Sequence, residues 1–158
     1  MKVTVLCVGK IKEKFYTDAI GEYAKRLKRF ADFNIIEIPD ERIPENASEK
    51  EEEKIKEREG EKIISKIPQQ SFVIGLCIEG SLFSSTELAK TMSDAYLTSS
   101  NITFIIGGSL GLSDAVKKQC NLKLSFGRMT LPHQLMRVVL SEQIYRAFMI
   151  NSGATYHK

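Results

Sequence analysis

The stretch N-I-T-F-I-I-G-G-S-L-G, Asn101 to Gly111, runs from six strand-forming residues into a turn with three glycines. Ile, Thr and Phe suit a pleated, half-buried or buried surface. A short, nearly continuous apolar run of this kind fits a strand covered on both faces. The glycines break it at once, and Ser113 and Asp114 then open a short helix. Strand, glycine turn and helix together make one unit of an α/β sheet.

The same unit recurs on both sides. At the N-terminus, K-V-T-V-L-C-V reads as a strand ending at Gly9. Residues 13–29 then place Phe15, Ala19, Tyr23, Leu27 and Phe30 at helical spacing. F-N-I-I-E-I is a second strand, closed by Pro39, and D-E-R-I-P-E-N is a loop. Ser48 caps a charged helix to about Lys66; with few apolar residues, most of it should face water. S-F-V-I-G-L-C-I, Ser71 to Ile78, is a third strand that Gly80 ends. Ser84 or Ser85 caps the next helix, with Glu87 near its N-terminal dipole. Downstream, L-K-L-S-F is a short fifth strand, and a last helix runs from about Pro132 to Asn151. Strands alternating with helices predict one α/β domain over residues 1–158, with a mostly parallel sheet and helices on both faces.

Composition narrows the class. Hydrophobic residues make up 42% of 158, enough for one core. No apolar run approaches the roughly 20 residues of a membrane helix. The apolar N-terminus is too short for a signal peptide and lacks a cleavage site, so it reads as a first strand in a cytoplasmic protein. Cys7, Cys77 and Cys120 are odd in number and widely spaced, with no C-x-x-C. That pattern predicts free thiols and neither a disulfide nor a metal site. The net charge of +3 is segregated: residues 40–62 carry 10 acidic and 6 basic groups, which leaves +7 elsewhere. Residues 1–30 hold 8 basic and 3 acidic groups, and residues 107–158 hold 7 and 2. A face of that sign suits a phosphate backbone, though ordinary solvated lysines would give the same count.

Ligands of open α/β sheets bind beyond the carboxyl ends of the strands. Three loops there carry Gly80; Gly107, Gly108 and Gly111; and Gly127. Backbone can approach a ligand closely at such positions. G-G-S-L-G also fits the nucleophile elbow G-x-S-x-G, with Ser109 as nucleophile. An elbow needs a histidine base with an orienting acid, and only Asp114 lies between Ser109 and His133. No phosphate loop of the form G-x-x-x-x-G-K-[ST] exists, nor a G-x-G-x-x-G after the first strand.

The segments I-I-G-G-S-L-G-L-S, L-S-F-G-R-M-T-L-P-H-Q-L-M-R-V-V-L-S-E-Q-I-Y-R-A-F and the terminal Y-H-K carry a resemblance across the whole chain. They resemble the ribosomal RNA large subunit methyltransferase H family of the SPOUT class. The resemblance implies a C-terminal trefoil knot, a homodimer and S-adenosylmethionine as cofactor. It implies methyl transfer to N3 of a pseudouridine in a hairpin loop of 23S rRNA, within the assembled ribosome and without a metal. It places the cofactor against Leu76, Cys77, Gly107 and Gly108, and against Gly127, Arg128, Met129, Thr130, Leu131 and Pro132. The family often has an acidic residue where Cys77 stands, so a backbone contact is expected there. A non-catalytic ribosome-binding factor is the alternative that charge segregation alone would support.

The N3 proton must be removed or the anion stabilised, and His133, His157, Arg137 and Arg146 are the candidates. His157, in the terminal tail, leads as catalytic base or RNA contact. His133, Arg137, Arg146, Tyr156, His157 and Lys158 are the candidate RNA-binding residues, Tyr156 by stacking on a base. From Leu135 to Ile150, 11 of 16 residues are apolar or tyrosine, more than one amphipathic stripe. A dimer interface including Val139 and Ile144 is the expected use of that surplus. His133, Arg137 and Ser141 should form its polar strip, and Glu142–Arg146 an i, i+4 pair.

Overall fold

The computed structural model describes Met1–Lys158. The chain alternates β1 (Lys2–Val8), α1 (Lys14–Leu27), β2 (Asp32–Ile38), α2 (Glu49–Ile64), β3 (Ser71–Leu82), α3 (Ser85–Ala95), β4 (Asn101–Ile106), α4 (Asp114–Gln119), β5 (Leu122–Ser125) and α5 (His133–Asn151). The strands form one sheet in the order β2-β1-β4-β3-β5, and every pairing is parallel. Parallel neighbours require crossover connections, which the helices supply.

Strand alternation divides the core in two. Val3, Val5 and Cys7 of β1 and Ile102, Phe104 and Ile106 of β4 face α1, α3 and α5. Leu6 and Val8, with Ile105, face Ile63 of α2 and Val116 of α4. Burying each such side chain contributes about 1.5–3 kcal/mol. The helix starts follow the sequence signals. Ser48 with Glu51, and Ser84 with Glu87, form reciprocal capping boxes, and the Ser113 hydroxyl accepts from the Val116 N–H.

Three expectations need correction. β3 does not stop at Gly80; it resumes to Leu82 after a register shift between Leu76 and Ser81, because residues 77–80 bulge away from β5. Phe15 is not on the buried stripe of α1 but is 62% exposed; Ile20 and Leu27 carry the burial. The apolar surplus of α5 does not require a second subunit. The helix packs between α1 and α3 over the sheet, and Leu140, Ile144, Ala147 and Phe148 are buried within the chain. Ile144 is therefore a core residue, while Val139 stays partly exposed.

Candidate cofactor cleft

The carboxyl ends of β3, β4 and β5 surround a cleft of about 340 Å³. That size falls in the range of small-molecule sites. One wall is the β3 bulge with Leu76, Cys77, Ile78 and Glu79; a second is the turn Gly107–Leu112; the third is the segment from Leu124 to Leu131. His133 and Met136, on the first turns of α5, close the side, and Lys56 of α2 reaches the rim.

Two glycines make this shape possible. A Cβ on Gly107 would sit 2.9 Å from backbone atoms of Gly111, so only a bare Cα lets the turn fold back on itself. The turn closes through a bridge between Gly108 and Gly111 and the Gly111 N–H to Gly108 carbonyl hydrogen bond. Gly127 has φ +122°, a conformation other residues adopt only under strain. Its N–H donates to the Ser125 hydroxyl, which in turn donates to the Gly127 carbonyl, and this small ring turns the chain toward α5. Space is open beside Gly127, where a side chain would begin to fill the cleft.

Electrostatics keep the cleft close to neutral. Burial, and secondarily the charge of Arg137, push the His133 pKa below its ordinary value. Its imidazole is therefore neutral near pH 7. The hydrogen bond from Lys117 holds the Glu79 carboxyl low, and the same contact holds Lys117 charged, so the rim carries a closed ion pair. Burial pushes the Cys77 thiol up, with Glu79 adding to the shift. Behind the turn, Glu59 is 5% exposed and accepts from the Glu41 N–H at 3.0 Å. Its carboxylate lies 3.0 Å from where a Gly108 Cβ would stand.

The expected cofactor residues are thus brought together: Leu76, Cys77, Gly107, Gly108, Gly127, Met129, Thr130 and Leu131 line one cleft, and Arg128 and Pro132 belong to the same loop. Sequence reading missed Glu79, Lys117 and Lys56. Glu79 and Lys117 flank glycine loops but became a pair only through the bulge, and nothing in α2 marks Lys56. His133, a candidate both for handling the N3 proton and for contacting RNA, lines the cleft.

The other candidates lie elsewhere. Arg137 is 1% exposed and cannot reach RNA. It pairs with Glu37 at 2.9 Å and donates to the carbonyl oxygens of Val8 and Gly9 at 3.1 and 2.8 Å. Ser141 is buried too, donating to the Arg137 carbonyl, so no exposed polar strip exists there. Arg146, Tyr156 and His157 form a separate cluster. Arg146 donates twice to Glu142, the Tyr156 hydroxyl donates to the same oxygen, and Arg146 stacks over the Tyr156 ring at 4.7 Å. His157 Nδ1 lies 3.3 Å from Arg146 Nη1. Arg146 is 13 residues past His133 on α5. At 1.5 Å per residue Arg146 lies roughly 20 Å along the helix from His133 and roughly 15 Å from Met136, the last residue of α5 that lines the cleft. Lys158 is exposed beside it.

Hydrolase geometry is absent. Ser109 makes no hydrogen bond to His133, although both line the cleft, and no carboxylate orients that histidine. A helix does not follow the serine directly; α4 begins at Asp114. No group of three His, Cys, Asp or Glu side chains converges on a common point, and no helix is long and apolar enough to cross a membrane.

Comparison with known proteins agrees with this architecture. A family model described as "Predicted SPOUT methyltransferase" matches residues 1–157. The chain is 55% identical to the protein named ribosomal RNA large subunit methyltransferase H from Streptococcus uberis and 57% identical to its namesake from Streptococcus pneumoniae, in both cases over 100% of each chain. Among solved structures, a probable methylase family protein from Haemophilus influenzae shares the fold, with TM-score 0.52 at 15% identity over 99% of this chain and 70% of that one. A parallel five-stranded sheet, a glycine-built cleft at its carboxyl edge and full-length matches together establish that the chain belongs to the SPOUT methyltransferases, in the family of the ribosomal RNA large subunit methyltransferase H proteins.

Proposed function

We propose that this protein is an S-adenosylmethionine-dependent methyltransferase acting on large-subunit ribosomal RNA, at N3 of a pseudouridine in a hairpin loop of 23S rRNA in the assembled ribosome. The observation that carries the reading is the cleft itself: three loops at the ends of β3, β4 and β5 present glycines, small polar groups and apolar side chains to one space. The names of the full-length relatives support the RNA substrate. A trefoil knot in the C-terminal segment, a homodimer and a cytoplasmic location belong to the same proposal.

When bound, S-adenosylmethionine supplies a methyl group activated by a sulfonium. Leu76, Cys77, Gly107, Gly108 and the Gly127–Pro132 segment are the proposed holders of its adenosyl and methionyl parts. The chain's task is then to fix two reactants and exclude water. Neutral His133 and the closed Glu79–Lys117 pair limit the positive charge beside a positively charged donor. His157 is the proposed base or RNA contact, and Arg146, Tyr156 and Lys158 are proposed RNA contacts. From its place along α5 the tail reaches a cleft by moving or from a second subunit, which the homodimer would supply.

Calorimetric titration with S-adenosylmethionine, followed by tritium transfer from labelled cofactor to ribosomes, tests the reading. Saturable binding and label in 23S rRNA are expected. Ribosome binding without label would make the protein a non-catalytic factor. Sedimentation as a monomer would remove the homodimer.

A further inference from the structure

The loop that joins β1 to α1 lies outside the cleft and has no role in the reading above. With the first two residues of α1 its sequence is G-K-I-K-E-K-F, Gly9 to Phe15. We propose that this loop is a docking surface for RNA, with Lys10 and Lys12 on backbone phosphates and Phe15 as the platform for an unstacked base. The inference rests on the reading of the protein as an RNA methyltransferase and adds a second contact region to it.

Three observations meet here. The first is charge. Lys10 and Lys12 are exposed and take part in no ion pair, whereas Lys14 is paired with Asp18. The second is an aromatic ring in the same place. Phe15 is 62% exposed, and its ring lies against that of Tyr16, with centroids 4.4 Å apart. One exposed phenylalanine is ordinary. Set beside unpaired lysines, it makes the pairing of cationic groups and a π-face that single-stranded RNA binders use.

The third is rigidity. The Gly9 carbonyl accepts from Arg137 at 2.8 Å, and the Ile11 N–H donates to Glu37 at 3.0 Å. The Lys12 N–H donates to the Gln134 side chain at 3.0 Å, and the Glu13 N–H to the same oxygen at 3.5 Å. Side chains of α5 and β2 thus hold four of the five positions from Gly9 to Glu13, all but Lys10, from outside the loop. Gln134 follows His133, which lines the cleft. A surface held in this way loses little conformational freedom on binding. It also sits on the cleft's side of the sheet: β1 pairs with β4 in register, and the end of β4 leads into the Gly107–Gly108 wall. Neighbouring strands are about 4.8 Å apart, so nucleotides flanking the target base can lie along this loop.

The charge and the aromatic favour RNA over the other possible occupant, the acidic α2 of a second copy, because that helix offers carboxylates but nothing for the Phe15 ring to stack on.

The experiment compares wild type with Lys10→Ala/Lys12→Ala, Phe15→Ala and Phe15→Tyr. Methylation of ribosomes isolated from cells lacking this enzyme is followed at several salt concentrations, with calorimetry of S-adenosylmethionine and sedimentation on each variant. Phe15→Ala and the double lysine variant should each raise KM for ribosomes about tenfold. Cofactor affinity should stay at the wild-type value, Phe15→Tyr should restore KM, and the lysine variant should flatten the salt dependence. Wild-type KM and salt slope in both loop variants would overturn the proposal while leaving the methyltransferase reading intact. So would variants that become monomers with unchanged RNA affinity at matched oligomeric state, since the loop would then bind a second copy. Wild-type protein that neither binds cofactor nor transfers methyl would overturn both readings.

Discussion

The guanidinium of Arg137 and the carboxylate of Glu37 meet at 2.9 Å across 100 residues of chain. Arg137 lies in the last helix and Glu37 in the second strand, and the same arginine holds the carbonyls that end β1. The final helix is thereby fixed to the half of the sheet made first in sequence. A residue that reads as an RNA contact is a structural clamp.

That clamp can be weighed. Arg137→Met keeps the length of the side chain and removes every donor. The Val8 carbonyl then loses one partner in a buried position, and Glu37 keeps a charge that solvent, reaching 34% of its side chain, partly screens. Destabilisation of about 2–4 kcal/mol is expected. Urea unfolding at fixed protein concentration measures it, and a loss below the error of the method would show that the pair is dispensable. Arg137→Lys should recover only part, because an ammonium cannot reproduce the planar fork.

Glu59 should make stability depend on pH. Burial, opposed by the hydrogen bond from Glu41 and reinforced by the charges of Asp40 and Glu41, raises its pKa in the folded chain. A carboxyl raised on folding favours the protonated state. Its stabilising effect is full below the ordinary carboxyl range and is lost as pH rises through the raised value. Glu59→Gln keeps an acceptor for the Glu41 N–H without the charge. It should melt higher than wild type near pH 8, with the gap closing toward pH 4. A gap that widens on acidification would reverse the sign.

The glycines of the cleft give a sharper test of the cofactor site. Gly107→Ala forces a Cβ against Gly111, and Gly127→Ala places a side chain at φ +122°. Each should weaken S-adenosylmethionine about tenfold or more by calorimetry. Normal affinity in both would remove these loops from the site.

The thiols offer an independent probe. Burial pushes Cys7 up to about 12 and Cys120 up to about 11, against the opposing charge of Arg137 at Cys7 and with the influence of Cys77 at Cys120. Because the thiolate is the reacting form, neither should alkylate near pH 8 unless the chain unfolds. Cys77, half-buried in the cleft wall, should label slowly, and S-adenosylmethionine should slow it further. Mass spectrometry after iodoacetamide treatment reads both; rapid labelling of Cys7 in folded protein would contradict its burial.

The sequence by itself determined the order and type of all ten elements, the capping residues Ser48 and Ser113, a cap at Ser84 or Ser85 that the structure assigns to Ser84, and the three glycine-bearing loops. These are local properties: periodicity, β-branching, caps and turn glycines act within a few residues of chain. The residues that the family resemblance placed at the cofactor lie mostly in or beside those loops and line one cleft, and short motifs carried the family. Tertiary structure alone decided the rest. Periodicity says that Arg137, Ser141 and Ile144 share a helix, but not that β1 and β2 supply partners for the arginine, nor that α1 and α3 enclose the isoleucine. It marks Phe15 as one of a stripe, yet only the packed helix leaves that ring in water. Strand β3 continues past Gly80 because β5, more than forty residues later, accepts a shifted register. Burial, charge pairing and register depend on which distant segments meet, and no local pattern records that.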